Sequence, residues 1–278
     1  MLENSKSILL KAREEGYAIP QFNINNLEWT RYILEECDKN NQPVILGASE
    51  GAIKYMGGYH VVVNLIMSLK YDLNIKIPIV IHLDHGSSYD SCVKAIEAGF
   101  TSVMIDASKL PFLDNIALTK KVVDYAHARN VTVEAELGVL GGNEDGIKGT
   151  NKLADPDECV TFVQKTKIDS LAPAVGSAHG VYIGEPHLDF ALIETIKNKV
   201  NVPLVLHGGS GIPDFQIKES IKRGISKINI NTEIQQGWHK GVLDFMEKNP
   251  DIYDPRKVIS SGEEEFKKVV KEKIDLFR

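Results

Sequence analysis

The chain predicts an α/β fold, a (β/α)8 TIM barrel, on three observations. Eight short β-branched apolar runs recur along its 278 residues, helical segments separate them, and glycine and polar residues gather at one end of the runs. A buried parallel strand reads as such a run because helices cover the sheet, and the strand–helix alternation is the signature of the barrel. An open doubly wound sheet is the alternative.

The runs fall at residues 18–23, 44–49, 79–84, 102–107, 132–137, 170–175, 204–207 and 226–230. Pro43, Pro78 and Pro203 precede three of them, at strand starts where a missing backbone donor costs little. Between the runs, residues 27–39, 88–98, 113–129, 157–165 and 213–223 carry helical spacing and good helix formers. Residues 138–155 hold five glycines and show neither helical nor strand period, so they are expected to form a lid or binding loop. Residues 260–277 predict a closing amphipathic helix. Residues 1–278 are accordingly expected to form one barrel domain with a C-terminal helical extension.

Composition narrows the function classes. A formal charge of −6 without a basic run offers no footprint for nucleic acid and no polybasic membrane patch. No apolar run approaches the roughly 20 residues that span a bilayer. Cys37, Cys92 and Cys159 have no disulfide or zinc-thiolate spacing, which fits a reducing cytoplasm.

The chemistry-bearing residues lie at strand ends. His85, His179 and His207 each sit where an apolar run meets a glycine, in HLDHG, SAHG and HGGS. Neutral imidazoles on rigid strand ends suit Zn²⁺ and leave a coordination position for substrate. Carboxylates end neighbouring strands: Asp84, Asp106, Glu134 and Glu136. Burying them alone costs several kcal/mol, so they are expected to meet a metal, a ligand or a histidine. Gly208-Gly209-Ser210-Gly211 and Asn229-Ile230-Asn231-Thr232 follow the seventh and eighth runs and precede helices. Barrel enzymes frequently bind phosphate there, on backbone amides and a helix N-terminus; Thr232, with Glu233 and Gln235 behind it, reads otherwise as a helix N-cap. A Lewis acid beside a phosphate cradle fits carbon–carbon bond chemistry in a phosphosugar through an enediolate. A metal hydrolase would use the same ligand types.

Through ILGASEG (residues 45–51), HLDHG (82–86), EAELG (134–138), LAPAVGSAHG (171–180), LHGGSG (206–211) and KININT (227–232), the chain resembles class II, zinc-dependent fructose-1,6-bisphosphate aldolases over essentially its whole length. The resemblance implies a cytoplasmic lyase of glycolysis and carbohydrate metabolism acting on small phosphosugars. By resemblance His85, His179 and His207 hold zinc, while Asp106 and Glu136 match a second position for a divalent or monovalent cation. Asp84 matches the acid that exchanges a proton with the oxygen on the C4 side, and Glu144 the base that deprotonates dihydroxyacetone phosphate. The triose phosphate would lie on Gly180, Gly208, Gly209, Ser210, Asn229, Ile230, Asn231 and Thr232, with Ser49 near the aldehyde. Arg256 looks like the residue sent across a subunit interface to the second phosphate, implying a homodimer or homotetramer.

One departure stands out. Relatives commonly read His-Gly-x-Tyr-Lys-Gly where this chain has Ile183 in place of the lysine. Tagatose-1,6-bisphosphate aldolase is the nearest rival; its relatives tend to read His-Gly-Ala-Ser-Asp and Asn-Val-Ala-Thr, against Gly209, Gly211 and Asn231 here. A Schiff-base aldolase would need a desolvated lysine, and Lys227 lies toward the strand start, on the wrong side. A phosphosugar sensor without turnover is the non-enzymatic alternative.

Overall fold

Eight parallel strands close on themselves in the order β1-β11-β10-β8-β5-β4-β3-β2, so the open-sheet alternative is excluded. The computed structural model describes residues 2–139, 152–182 and 184–278, and of residues 141–144 and 147–149 the backbone alone. The elements run α1 (Lys6–Glu15), β1 (Ile19–Asn23), α2 (Leu27–Lys39), β2 (Val44–Ser49), α3 (Glu50–Met56), α4 (Tyr59–Asp72), β3 (Ile79–Gly86), α5 (Tyr89–Ala98), β4 (Ser102–Ile105), α6 (Phe112–His127) and β5 (Thr132–Leu137). They continue with β6 (Gly141–Glu144), β7 (Ile147–Gly149), α7 (Pro156–Thr166), β8 (Ser170–Pro173), β9 (Ala178–His179), α8 (Phe190–Lys199), β10 (Leu204–Leu206), α9 (Asp214–Arg223), β11 (Ile225–Ile230), α10 (Thr232–Lys248), α11 (Pro255–Ser260) and α12 (Glu263–Leu276). No helix among the described residues is long and apolar enough to cross a membrane.

Strand alternation sorts the side chains. Phe22, Leu46, Ile81, Leu83, Val133, Leu171 and Ile228 point outward into the large apolar core shared with the helices. Their neighbours Gln21, Asn23, Ser49, His82, Asp84, Glu134, Glu136, Lys227 and Asn229 are buried but polar, and several pair with one another across the barrel. The strands are therefore not the uninterrupted apolar staves expected from the sequence: their inner faces turn polar toward the C-terminal ends. At the other mouth α1 closes the barrel, packing Ile8, Leu9 and Ala12 on Ile19, Ile45 and Val80.

Two local features go beyond the sequence pattern. The glycine-rich connection contains a hairpin, β6 antiparallel to β7, and β6 pairs in parallel with β9 through Gly141–Ala178 and Gly142–His179. Backbone pairing needs no side-chain period, which is why the sequence was silent there. Asn231, not Thr232, occupies the N-cap of α10, and its side chain makes no capping hydrogen bond.

Candidate metal centre

His85 owes its position to a break in strand regularity. Asp84 faces the barrel interior, so on a regular strand His85 would face outward. A φ of 51° at His85 and a register shift between Leu83 and Gly86 turn it inward instead. A left-handed non-glycine residue costs roughly 1–2 kcal/mol, an observed strain of the kind that gathers at functional sites. Adjacent residues thus serve one pocket.

His207 follows β10 and His179 ends β9, and the ligand nitrogens of the three histidines lie within 4.8 Å of one another. His85 Nδ1 is 2.9 Å from Asp106 Oδ2, and His207 Nε2 is 2.9 Å from Glu134 Oε1. A carboxylate only accepts, so each of those nitrogens carries the hydrogen and donates it. The remaining nitrogens, His85 Nε2 and His207 Nδ1, face each other at 2.9 Å, with one hydrogen shared between them in the metal-free protein. With that hydrogen displaced both nitrogens offer lone pairs to the same point, where a cation would satisfy them. The donor set therefore fits a divalent ion held by neutral imidazoles.

The electrostatics agree. Burial opposes charge on His85, but its hydrogen bond to Asp106 and the charges of Asp84 and Glu136 raise its pKa to about 10: the site demands positive charge at that point. Burial, with His85 and His207 nearby, pushes His179 down to about 3 and so keeps it a neutral donor. His207 is lowered by burial against the pull of Glu134. Burial would raise Asp84, yet the surrounding His85, His207, His82 and Lys227 hold its carboxyl well below the usual range. Asn23 Nδ2 donates to Asp84 Oδ2 at 2.8 Å, fixing the carboxylate at the pocket wall. Asp106, Glu136 and His85 form a second group of converging donors, although Asp106 is already engaged with His85 and with the Ser108 hydroxyl at 2.7 Å.

Around the histidines opens a pocket of about 480 Å3, counting its mouth, lined by Ser49, Asp84, His179, Gly180, Gly208, Ser210, Asn229 and Asn231 among others. Gly208 has a φ of 62°, and a Cβ there would sit 2.2 Å from the Ala178 carbonyl oxygen, so only glycine allows this approach. Gly209 donates its N–H to the Asn229 carbonyl at 3.1 Å, joining the loop after β10 to the end of β11. Ser210 Oγ accepts from the N–H groups of Asn231 and Glu233 at the start of α10. Asn231 itself makes no capping hydrogen bond, and the start of α10 borders the pocket through Asn231 and Thr232; a helix N-terminus suits a phosphate.

The structure thus brings together Ser49, Asp84, His85, His179, Gly180, Gly208, Ser210, Asn229, Asn231 and Thr232 at one pocket. Gly209 and Ile230 support its floor from behind; a Cβ on Gly209 would meet Ile228 at 2.5 Å. Arg256 is not gathered there: it is exposed at the start of α11 and paired with Asp254 at 2.8 Å. The Glu144 side chain and Ile183 lie outside the described residues. Asn23, a lining residue, escaped the sequence reading; its only signal was a polar residue ending the first run. Lys227, set aside as a Schiff-base lysine, is buried and tied to Glu134 at 2.7 Å and does not line the pocket.

Comparison with known proteins decides the kinship of this metal centre. The family described as "Fructose-bisphosphate aldolase class-II" matches residues 3–278. The chain belongs to the class II fructose-bisphosphate aldolases. It is 54% identical over 270 residues to a fructose-bisphosphate aldolase of Geobacillus stearothermophilus, covering 97% of this chain and 94% of that one. Identity to a fructose-bisphosphate aldolase of Staphylococcus aureus is 53% over 277 residues, covering 99% and 97%. Among solved structures, the YdjI aldolase of Escherichia coli K12 superposes on this aldolase with a TM-score of 0.86 at 34% identity, covering 100% and 97% of the chains. Fructose-bisphosphate aldolase of Campylobacter jejuni gives 0.81 at 25% identity, covering 99% and 95%.

Proposed function

We propose that this protein cleaves fructose 1,6-bisphosphate reversibly to dihydroxyacetone phosphate and glyceraldehyde 3-phosphate, with zinc on His85, His179 and His207. The observation that carries the reading is the convergence of three histidine ligand nitrogens within 4.8 Å of one another in a pocket that also borders the start of α10. Bound zinc would supply Lewis-acid polarisation of the ketose carbonyl. Asp84, ionised and held by Asn23, accepts the C4 hydroxyl proton as the C3–C4 bond breaks. Glu144 delivers a proton to C3 in cleavage and removes it in condensation. Gly180, the Gly208–Ser210 loop and residues 229–232 hold the triose phosphate, and Ser49 lies at the aldehyde end. Asp106 and Glu136, with His85, offer a second cation position. Arg256, exposed here, reaches the other phosphate of a neighbouring subunit in a homodimer or homotetramer. Three buried, unpaired cysteines accord with a cytoplasmic, glycolytic enzyme.

The test is a coupled assay offering fructose and tagatose 1,6-bisphosphates, with and without chelator. Fructose bisphosphate should be cleaved, chelation should abolish turnover and zinc should restore it. Preference for the tagatose epimer, or turnover that survives chelation, would overturn the assignment.

A further inference from the structure

Beneath the metal centre lies a charged pair that the proposed chemistry does not use. Lys227 on β11 and Glu134 on β5 are buried inside the barrel, with side chains 1% and 2% exposed. Lys227 Nζ donates to Glu134 Oε2 at 2.7 Å, and Ser170 Oγ donates to the same oxygen at 3.3 Å. The other carboxylate oxygen, Oε1, accepts from His207 Nε2 at 2.9 Å. An ion pair taken out of water is commonly no better for stability than apolar residues of the same volume. Its place against a metal-binding histidine is a reason of another kind.

A carboxylate has only acceptors, an ammonium only donors, and a neutral imidazole one of each. Lys227 saturates one face of Glu134, and the other face can then receive only the His207 Nε2 hydrogen. That hydrogen bond leaves the Nδ1 lone pair directed at His85 Nε2 and the metal position. Outer partners of this type fix tautomer and ring orientation at metal sites.

We infer that Glu134, anchored by Lys227, is a positioning residue that locks His207 as the Nε2–H tautomer and thereby makes Nδ1 its metal ligand. This rests on the metal centre of the proposed function and adds to it two residues outside the ligand set. The donor logic gives a specific consequence. In Glu134→Gln the Lys227 ammonium still demands an oxygen, so the amide turns its oxygen to Lys227 and its NH2 to His207. An NH2 facing Nε2 favours the opposite tautomer, with the hydrogen on Nδ1, where the metal should bind. In Glu134→Gln/Lys227→Met nothing competes for the amide oxygen, which can again accept from Nε2. The second substitution is therefore expected to repair the first.

Zinc affinity is measured on the full-length protein by chelator competition, with the visible spectrum of the cobalt-substituted form as a record of ligand geometry and a melt of the metal-free form as a check on folding. Glu134→Gln should weaken zinc binding about 10–100-fold and alter the cobalt spectrum, and the double variant should return both toward wild type. Zinc affinity of Glu134→Gln within twofold of wild type would overturn the inference, as would a folded double variant that binds no better than Glu134→Gln. If Glu134→Gln does not fold, the double variant, which buries no lone charge, decides alone: affinity within about threefold of wild type supports the lock, and a loss beyond tenfold sinks it. Wild-type protein that binds no divalent ion would instead refute the metal centre itself, a separate outcome.

Discussion

Zinc uptake by this protein should expel a proton, and the site geometry sets the size of the effect. In metal-free protein His85 has a pKa raised to about 10, against roughly 6.5 for an unstrained histidine. A metal must displace that proton to reach the Nε2 lone pair. At pH 7 the displacement spans about three pH units, so apparent affinity should lie about a thousandfold, or ~4 kcal/mol, below its alkaline limit. Zinc affinity should therefore climb about tenfold per pH unit from pH 7 and level off near 10. The metal-free protein should move the opposite way. A raised histidine pKa contributes stability that is fully present below the unfolded value near 6.5 and lost as pH rises through the folded value near 10. Calorimetric titration at pH 7–9 in buffers of different ionisation enthalpy counts the protons released; about one per zinc is expected. Asp106→Asn removes the partner that raises His85, so it should flatten the pH dependence. No proton release from wild type, or an affinity independent of pH, would refute the assignment of His85 Nε2 as a metal ligand.

Other expectations follow from single residues. His82 is buried beneath the pocket, with Nδ1 on Ser102 Oγ at 2.8 Å, and burial and nearby Lys227 lower its pKa to about 3. The unfolded chain takes up a proton there below about pH 6.5 and the folded one does not, so stability should fall by about 1 kcal/mol per pH unit between 6.5 and 4.5; His82→Gln should soften that acid limb in urea unfolding. Tyr182 accepts from the Ala178 N–H at 2.9 Å and donates to the Gly208 carbonyl at 2.8 Å. Tyr182→Phe should cost about 1–3 kcal/mol in thermal unfolding and raise KM for the bisphosphate more than it lowers kcat. Arg256→Ala should leave the melting temperature unchanged, because the Arg256 side chain is exposed and its described partner is Asp254 two residues away, yet raise KM if a neighbouring subunit uses it; thermal melts with steady-state kinetics test both.

The staves were legible because each is a β-branched run marked off by proline or glycine, and the three histidines because each ends a run. What stayed hidden depends on relations the linear pattern does not carry. The inward turn of His85 is a backbone irregularity, and nothing in HLDHG distinguishes it from a regular strand. The Glu134–Lys227 pair needs the cross-barrel geometry of β5 and β11, which are not neighbours in the sheet. The plug α1 has only Ile8, Leu9 and Ala12 as buried residues, too few to announce a face. The β6–β7 hairpin is glycine-rich, and one of its ladders runs to a strand of two residues far along the chain.

That two-residue strand explains the division of labour among the ligands. His85 stands on β3 and His207 directly follows β10, oriented by Asp106 and Glu134. His179 stands instead on β9, between the barrel and its loops. On one side β9 is hydrogen-bonded in register to β6, so the residue paired with His179, Gly142, lies two positions from Glu144. On the other side the Ala178 carbonyl packs against Gly208, and the Tyr182 hydroxyl bridges Ala178 to the Gly208 carbonyl. A single short strand therefore joins one metal ligand to the phosphate loop and to the segment that carries the proposed base. Backbone hydrogen bonds of about 1 kcal/mol each are individually weak, but shifting β9 alone would break several at once and drive Gly208 into a carbonyl. His179, the proposed phosphate loop and the segment of the proposed base are consequently linked through β9.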